Sequence, residues 1–526
     1  MRLFRFWLLL LVQYITINQV LAIKYQSITY SKIDTLQQNT WVDSLMSSLT
    51  IREKIAQSFM VSAYSNKDQK HIDEIASLVQ NEKIGGLIFF QGGPIRQAKL
   101  TNYYQSLSRI PIIISIDGEW GLGMRLDSTF SYPRQMMLGA GADSNLVYQV
   151  ASNMANHFKR MGIHINYGPV VDINNNPLNP VIGSRSFGEN KRMVSSFGLE
   201  YMKGLQDNGI IACAKHFPGH GDTDADSHFA LPKVMHSIER LDSLELYPFS
   251  NLINGGVKGI MVAHLRVPSL EMDTSLASSI SPKIIKKILV DSLKFKGLIF
   301  TDALNMKGVA DYHTPAELNY LAYKAGNDFL VCPEKIKESI DFIEQQVASG
   351  NLPIDDVNRK CRKILEAKYA VGLSKYKPIE LNNLVADLNT TSSELLRRKV
   401  IEQGITLLKG DDILPLKRLD TLKIAYIEVG KCKGQKFFDQ LEMYTSIASF
   451  SIDAESSLNA FDSLLVSLEP FNLVILGCHS IDTRASKNYG ISPQLSNFIF
   501  DLSFRKKVIA DIFGNPYSIS RLMNIQ

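Results

Sequence analysis

The stretch from Lys215 to His228 holds three histidines, three aspartates and one lysine within fourteen residues. It follows an apolar run, Gly209 to Ala214, and contains Pro218, which predicts a buried strand that opens into a loop. Loops that follow buried strands are where α/β enzymes place reactive groups. A solvated surface loop is the alternative, but such loops seldom gather so many titratable side chains. The stretch is therefore the first candidate for a catalytic site.

Three residues could transfer protons or form a covalent bond to a substrate. Asp226 and His228 stand two residues apart, so Asp226 could hold one ring nitrogen of His228 and leave the other to exchange a proton near neutral pH. Asp302 follows the apolar run Leu298 to Phe300 and could act as a nucleophile. Asp226 and His228 could instead serve a turn, and Asp302 could cap the next helix. The spacing alone leaves both interpretations open.

Four charged or polar residues suit the recognition of sugar hydroxyl groups: Asp117, Arg185, Lys215 and His216. Side chains that hydrogen bond in pairs around a small polar pocket are typical of such sites. Lys215 directly ends an apolar run, which makes it less typical of a surface charge.

A metal site is the competing hypothesis for the same stretch. Asp222 to Asp226 begins like a calcium-binding EF-hand loop, but Ser227 replaces the required glycine and Lys233 the required glutamate. The sequence contains neither an HExxH nor a CxxC motif. We therefore predict neither a metal ion nor any other cofactor.

Eight short apolar runs alternate with longer amphipathic segments. Parallel strands covered by helices on both faces have this pattern, and eight such units predict a (β/α)8 barrel of the TIM type. The predicted strands are Ile55 to Val61, Ile84 to Phe90, Ile110 to Ile116, Ile165 to Val171, Ile210 to Ala214, Gly259 to Ala263, Gly297 to Phe300 and Phe329 to Val331.

Polar residues follow most of these runs. They are Gln91, Asp117 with Glu119, Asp172, Lys215 with His216, His264 and Asp302. The carboxyl ends of barrel strands meet at one face, where active sites lie. We therefore expect these side chains to line one pocket.

The chain divides into a barrel over residues 40–375, a polar linker over 376–394 and a smaller α/β domain over 395–526. The last assignment rests on a helix over 393–404 and on later apolar runs that alternate with helical segments. The chain stops soon after Phe513 to Tyr517 without an evident final strand. We therefore expect this second domain to be incomplete, as in a shortened version of a longer chain.

The first 22 residues have the three-part build of a secretory signal. Arg2 and Arg5 precede an apolar core, and Val20 to Ala22 ends in a small residue. A membrane anchor is the alternative, but polar residues from Gln13 onward interrupt the apolar run well short of the ~20 residues that a span needs. We therefore predict export to the periplasm or the medium, with no stable membrane span after the signal is removed.

Net charge and cysteine spacing argue against a nucleic acid partner, a zinc site and a disulfide framework. The net charge is +5, and no run of lysine or arginine indicates a nucleic acid partner. The five cysteines are widely spaced and odd in number, which indicates neither zinc nor a disulfide framework. Cys213, Cys332 and Cys478 lie in or beside apolar runs and are expected in the core.

At these residues the sequence resembles glycoside hydrolase family 3, in its β-N-acetylhexosaminidase branch. Lys215 to His228, continued by Leu231 and Pro232, matches the signature of that branch without a break. Thr301 to Met306 is similar to the family's nucleophile motif, and Met261 to His264 to its sixth-strand motif. The resemblance covers roughly residues 45 to 375 well and continues less firmly into 395 to 526 as an α/β sandwich domain.

The resemblance implies a retaining exo-hydrolase that releases terminal β-linked N-acetylglucosamine from cell-wall fragments (muropeptides) or chitooligosaccharides. It implies Asp302 as the nucleophile and His228 as the general acid/base, with Asp226 orienting His228. The residues implied to hold the sugar are Asp117, Arg125, Arg185, Lys215, His216 and His264.

One segment departs from the family pattern. Asp117 and Arg125 remain, but Leu122 replaces an arginine and Trp120 adds an aromatic face, which puts the substrate beyond the terminal sugar in doubt. Three alternatives stay open: a β-glucosidase-type member, a phosphorylase that transfers N-acetylglucosamine to phosphate, and a non-catalytic sugar-binding scaffold. The oligomeric state has no signal in the sequence.

Overall fold

A computed structural model of the protein describes residues 35–223, 231–273, 275–410, 413–430, 434–479 and 481–522. Its first sheet has eight strands in the order β7-β6-β5-β4-β3-β2-β1-β8, and every neighbouring pair in that order is parallel. The strands are β1 Phe59–Ala63, β2 Gly86–Phe89, β3 Ile113–Ile116, β4 Ile165–Asn166, β5 Ile211–Phe217, β6 Gly259–Val262, β7 Leu298–Thr301 and β8 Leu330–Val331.

The sheet is nearly closed into a barrel. A parallel bridge between Phe300 and Phe329 joins β7 to the start of β8, and the two rings stack with centroids 5.2 Å apart. The predicted barrel is confirmed.

Helices surround the barrel strands. The α-helices of this part of the chain are Thr35–Ser48, Ile51–Ala56, Gln69–Ser77, Pro94–Leu107, Gln135–Gly141, Ser144–Arg160, Lys191–Gln206, Ile238–Ser243, Tyr247–Asn254, Lys307–Ala310, Pro315–Ala325, Ile336–Ala348, Ile354–Ala370, Leu384–Asp387 and Thr391–Gly404. Two π-helices, Leu78–Glu82 and Lys283–Ser292, also belong to this layer of helices.

Alternate residues of each strand face the barrel interior and the helices. Met60, Ile88 and Ile113 belong to the inner cluster, which Tyr167 and Phe300 fill at its centre. Their neighbours, such as Leu87 and Ile114, belong to the larger cluster under the helices. Because the interior is packed with side chains, a substrate can enter only at the strand ends.

The second sheet contains four parallel strands in the order β10-β9-β11-β12. They are β9 Ile424–Val429, β10 Ile447–Ile452, β11 Leu473–Cys478 and β12 Lys507–Ile512, with α-helices Gln435–Glu442, Leu458–Ser467 and Pro493–Arg505. Separate hydrophobic clusters cover its two faces. An α/β sandwich domain therefore follows the barrel, as expected.

The segment between the two sheets packs along the barrel. Ile379, Leu388 and Val400 belong to the barrel's larger hydrophobic cluster. Gly141 and Gly404 allow a close approach of two helices, because a Cβ atom on Gly141 would lie 1.6 Å from the carbonyl oxygen of Gln403.

Two details of the predicted strands were wrong. Ile55 and Ala56 belong to helix Ile51–Ala56, which Thr50 and Glu53 start with a capping box, and β1 starts only at Phe59. Both residues are fully buried, and a short apolar run does not distinguish a buried helix turn from a strand. Strand β10 has no continuous apolar run that would predict it, because its ends are buried while its middle positions are partly or fully exposed.

Three further expectations concern the whole chain. Cys213, Cys332 and Cys478 are buried, as predicted. Within the described ranges, every helix is too short or too polar to cross a membrane. The predicted secretory signal over residues 1–22 lies outside the described residues and stays a prediction.

Candidate active site

A cavity of about 300 Å³ opens at the carboxyl ends of the barrel strands. Its apolar wall includes Phe90, Met261, Met306 and Val331. The polar side chains that line it are Asp117, Glu119, Arg125, Arg185, Lys215, His216, His220 and Asp302. Residues that are up to 185 positions apart in the sequence thus meet in one pocket, as the strand-end pattern predicts.

Strand β5 carries Lys215 into the centre of this cavity. The strand is buried along its whole length, and Lys215 is only 2% exposed. Its Nζ atom lies 2.8 Å from Asp117 Oδ1 and 2.8 Å from Glu119 Oε1. Burial disfavours the charged ammonium group, but the two carboxylates outweigh it and raise the pKa of Lys215 above its usual value. Lys215 is therefore a fixed cation that joins strand β5 to the loop after β3.

Glu119 is a buried carboxylate held by two cations. Arg185 donates to it from Nε at 3.0 Å and from Nη2 at 2.8 Å, a two-pronged geometry that fixes the guanidinium plane. Glu119 is 2% exposed. Burial alone would raise the pKa of Glu119, but Arg185 and Lys215 hold it well below its usual range. The pair stays ionised at any physiological pH.

Asp117 receives a second cation from the loop that follows β3. Arg125 donates from Nη2 to Asp117 Oδ2 at 2.7 Å, and its guanidinium lies 4.9 Å from the centre of the Phe90 ring. Burial opposes the charge of Asp117, yet Lys215 and Arg125 lower the pKa of the carboxyl group below its usual value. Both oxygens of Asp117 therefore accept charged hydrogen bonds.

Asp172 organises the turn after β5 from below the cavity. It is 1% exposed, its Oδ2 atom lies 2.7 Å from His216 Nδ1, and its Oδ1 atom accepts the backbone N–H of His220 at 2.7 Å. The other ring nitrogen of His216, Nε2, lies 3.2 Å from Arg185 Nη2. His216 is thus held between an acid and a guanidinium.

The glycines of this turn allow its close packing, as the sequence predicts. Gly219 has a φ of +130°, in the region that favours glycine. A Cβ atom on Gly221 would lie 1.8 Å from the carbonyl oxygen of Ile173.

Asp302 directly follows β7 and borders the cavity. Its backbone N–H donates to Val262 O at 2.9 Å, and its Oδ1 atom accepts the N–H of Ala303 at 2.8 Å. Burial opposes the charged form, but the electrostatic influence of His216 and His264 and the Ala303 N–H lower the pKa of Asp302 below its usual value. An ionised carboxylate at this place can attack an electrophilic carbon.

His264 was predicted to contact the sugar; it is not among the residues that line the cavity, and the contact stays a prediction. It is fully buried, with Nδ1 2.6 Å from Ser279 Oγ and Nε2 donating to Ala303 O at 3.0 Å. The residue therefore supports the turn that carries Asp302. Its position at a strand end could not reveal which way the ring points.

Asp226 and His228 lie in residues 224–230, outside the described residues, and their roles stay predictions. A hydrogen bond joins the chain before this segment to the chain after it. His236 Nε2 lies 2.7 Å from Asp222 Oδ2, so the two flanks of the segment meet.

Asp222, His236 and Glu245 bring three metal-binding side chains within 4.8 Å of one another. The Arg240 guanidinium lies 3.3 Å from Glu245 and 3.7 Å from Asp222. The Arg240 guanidinium thus offsets part of the negative charge of these two acids.

Trp120 was predicted to form an aromatic wall for the leaving group. The Arg134 guanidinium covers its ring at 4.8 Å, and the ring does not border the cavity. Its effect on substrate choice stays a prediction.

A family model decides the wider assignment. The model of the glycosyl hydrolase family 3 N terminal domain matches residues 50–367. The chain belongs to glycosyl hydrolase family 3. The matched range contains the whole barrel and every polar residue of the cavity.

Family 3 relatives of this chain carry names that agree with the predicted branch. A β-hexosaminidase A of Pseudoalteromonas piscicida is 31% identical over 373 residues, which cover 65% of this chain and 62% of the relative. A β-N-acetylglucosaminidase/β-glucosidase of Cellulomonas fimi is 24% identical over 387 residues, covering 72% of this chain and 68% of the relative. The chain thus spans less than two thirds of the Pseudoalteromonas protein.

A solved family 3 structure extends the likeness to the second domain. The β-N-acetylglucosaminidase from Paenibacillus sp. str. FPU-7 superimposes with a TM-score of 0.77 at 29% identity, covering 91% of this chain and 92% of that one. The barrel and the following α/β domain thus share one arrangement with that protein.

The sequence analysis of this family 3 chain expected Glu119 and Asp172 at the pocket as strand-end residues, but it assigned no role in catalysis or sugar binding to them or to His220. Each lay in the sequence pattern: Glu119 and Asp172 follow predicted strands, and His220 belongs to the titratable stretch. Nothing in the sequence indicated that Glu119 pairs with Arg185, because 66 positions separate them.

Proposed function

We propose that the protein is a retaining exo-β-N-acetylhexosaminidase that releases terminal β-linked N-acetylglucosamine. The observation that carries the proposal is the position of Asp302, an ionised carboxylate at the edge of a small cavity lined with paired hydrogen-bonding groups. A cavity of about 300 Å³ is at the lower limit of small-molecule sites and suits one terminal sugar better than an internal stretch of polymer.

In the proposed reaction, Asp302 attacks the anomeric carbon while the bond to the leaving oxygen breaks. His228 gives its proton to that oxygen, and Asp226 orients the ring. Water then attacks the same carbon, His228 takes the proton, and the carboxylate of Asp302 leaves. Two displacements at one carbon retain its configuration.

The sugar-binding role falls to the side chains around Lys215. Asp117, Glu119, Arg185 and Lys215 hold one another in fixed positions, so a sugar meets preorganised donors and acceptors. Preorganisation lowers the conformational entropy that binding would otherwise cost.

A covalent trap tests the nucleophile. A fluorinated N-acetylglucosaminyl donor should leave an adduct on the peptide that contains Asp302, detected by mass spectrometry. Asp302→Ala should abolish hydrolysis of a chromogenic N-acetylglucosaminide, because the covalent intermediate can no longer form. Asp311→Ala, an exposed aspartate just beyond the same strand, is the matched control and should keep full activity. Substantial turnover by Asp302→Ala, or an adduct on another residue, would refute this mechanism.

A β-glucosidase activity is the second candidate, supported by the double name of the Cellulomonas fimi relative. Parallel assays on N-acetylglucosaminide and glucoside substrates distinguish the two. The acceptor is tested in the same assays: with phosphate present, a phosphorylase releases the sugar 1-phosphate, whereas a hydrolase releases the free sugar. If neither substrate turns over but sugar still binds, the sugar-binding scaffold is the correct reading.

We further propose that the protein is exported and that its natural substrates are cell-wall fragments or chitooligosaccharides. The proposal rests on the predicted signal over residues 1–22. The mature protein should begin at Ile23 and accumulate outside the cytoplasm, which N-terminal sequencing of the fractionated protein would check. A cytoplasmic protein that keeps Met1 would contradict it.

A further inference from the structure

The second domain reaches the segment between β4 and helix Lys191–Gln206, residues 167–190, which carries Arg185. Tyr517 stands on a short 3-10 helix, Pro516–Arg521, beyond β12. Its hydroxyl group accepts a hydrogen bond from Asn174 Nδ2 at 3.0 Å and donates to Glu189 Oε1 at 2.7 Å. The Asn515 side chain caps this short helix by accepting the N–H of Tyr517 at 3.1 Å. Tyr517 is therefore also fixed by a contact within the second domain.

Asn174 also hydrogen bonds to the turn that carries Arg185. Asn174 is fully buried, and its Oδ1 atom accepts the backbone N–H of Gly183 at 2.9 Å. Gly183–Arg185 forms one 3-10 turn, which the N–H of Arg185 closes by donating to Ile182 O at 2.8 Å. Two hydrogen bonds thus lead from the second domain to the backbone of Gly183, in the turn that carries Arg185.

The orientation of the Arg185 side chain depends on where this turn lies. Its guanidinium contacts Glu119 through two nitrogens and His216 through one. A planar fork of this kind tolerates little displacement, since both bonds to a carboxylate require one relative orientation. A loop that shifts by a fraction of an ångström would loosen all three contacts.

We propose that Tyr517, acting through Asn174, is a positioning residue for Arg185, so that the second domain tunes sugar binding without touching the sugar. The proposal rests on the proposed function in one respect, the assignment of Arg185 to the sugar site. It gives the second domain a role in substrate affinity that the barrel alone would lack.

Tyr489 offers a matched control in the same interface. Its hydroxyl group donates to Pro177 O at 3.1 Å and thus also ties the second domain to the loop after β4. Pro177 lies on a different part of that loop from the Gly183 turn. Tyr489→Phe and Tyr517→Phe each remove one hydroxyl group and keep the aromatic ring, so both variants should fold.

The kinetic test compares these variants on a chromogenic N-acetylglucosaminide. Tyr517→Phe should raise KM roughly three- to tenfold, the loss that one hydrogen bond implies, while kcat changes less than about twofold. Tyr489→Phe should change KM by less than about twofold. In an Arg185→Met background, Tyr517→Phe should have no further effect on kcat/KM, because the two residues act in one chain. An unchanged KM, equal effects of the two tyrosines, or additive effects with Arg185→Met would overturn the proposal.

Hydrogen exchange gives a second test of the positioning role, one that does not depend on enzymatic turnover. Tyr517→Phe should speed exchange in the peptide that contains Gly183 to Arg185 and leave the peptide of strand β2 unchanged. Equal protection of the Gly183 peptide in both proteins would overturn the positioning role. A wild-type enzyme without turnover would count against the proposed function alone, and the exchange result would still decide the role of Tyr517.

Discussion

Replacing Glu119 by glutamine tests whether the charge network of the cavity is what makes the site rigid. The wild-type carboxylate accepts from Arg185 at two nitrogens and from Lys215 Nζ at 2.8 Å. The two cations meet at the same oxygen, Oε1. In Glu119→Gln, an amide N–H₂ group must face one of these donors, and Lys215 and Arg185 then repel each other without the carboxylate that both contact.

The expected magnitude follows from burial. Glu119 is 2% exposed, so water cannot replace the lost charge. Removing one partner of a buried ion pair costs about 3 to 5 kcal/mol, because the remaining charges are left uncompensated. At 1.36 kcal/mol per factor of ten, a loss of about 3 kcal/mol in substrate binding and transition-state stabilisation lowers kcat/KM roughly 150-fold.

Two assays separate the effects on stability and on activity. Urea unfolding followed by circular dichroism should show a lower free energy of unfolding for Glu119→Gln, and turnover of a chromogenic N-acetylglucosaminide should show the fall in kcat/KM. Glu402→Gln, an exposed glutamate on helix Thr391–Gly404, is the control and should change neither. A Glu119→Gln enzyme that keeps its stability and loses less than about fivefold in kcat/KM would refute the reasoning.

Two further predictions concern the dependence of stability on pH. Burial lowers the pKa of Lys368 to about 7, with Gln57 Oε1 as a hydrogen-bond acceptor at 2.6 Å, so between pH 7 and 10 this lysine binds more protons in the unfolded chain than in the folded one and adds stability as the pH rises. Lys360, whose pKa burial also lowers to about 7, acts in the same direction. Lys368→Met should remove the Lys368 share only, so that the free energy of unfolding rises less steeply above pH 7 than in the wild type, and should stabilise the protein by roughly 2 kcal/mol at pH 6, after allowance for the lost hydrogen bond; a less stable variant with an unchanged pH profile would contradict this. Burial also lowers the pKa values of His157, His164 and His220 to about 4. Because the unfolded chain takes up these protons first, the free energy of unfolding should fall as the pH drops from about 6.5 to 4, and denaturant titrations at a series of pH values should show a matching net uptake of protons on unfolding.

The barrel could be predicted because its signal is local and repeated. Each strand is a short apolar run, and parallel strands buried on both faces need nothing else. Strand β10 escaped prediction because its central positions face solvent or lie half-buried, so Ser449 and Ser451 interrupt its apolar residues. The helix that contains Ile55 was mistaken for a strand because its two apolar residues are as buried as those of β1.

The site was predictable as a set of positions but not as a set of contacts. Strand ends identified Asp117, Lys215, His216 and Asp302 because barrel geometry sends them to one face. The partner of each side chain depends on loops between the elements, and loop conformation leaves little trace in a single sequence. His264 shows the limit of prediction from strand ends, because a strand-end position does not determine which way a ring points.

The arrangement of charges also bears on the kind of sugar that the cavity suits. Lys215, Arg185 and Arg125 are each paired with Asp117 or Glu119, so no described cation of the cavity is left for an anionic ligand. Burying an anion beside charges that are already paired would leave it uncompensated, which is costly. Neutral hydroxyl and amide groups, in contrast, can share the outer lone pairs and N–H groups of these pairs without breaking them. The apolar wall around Phe90 and Met261 offers no hydrogen bond and suits the non-polar face or methyl group of such a sugar. This balance of charges therefore favours a neutral sugar at the cavity, with any charged group of the proposed substrate kept outside it.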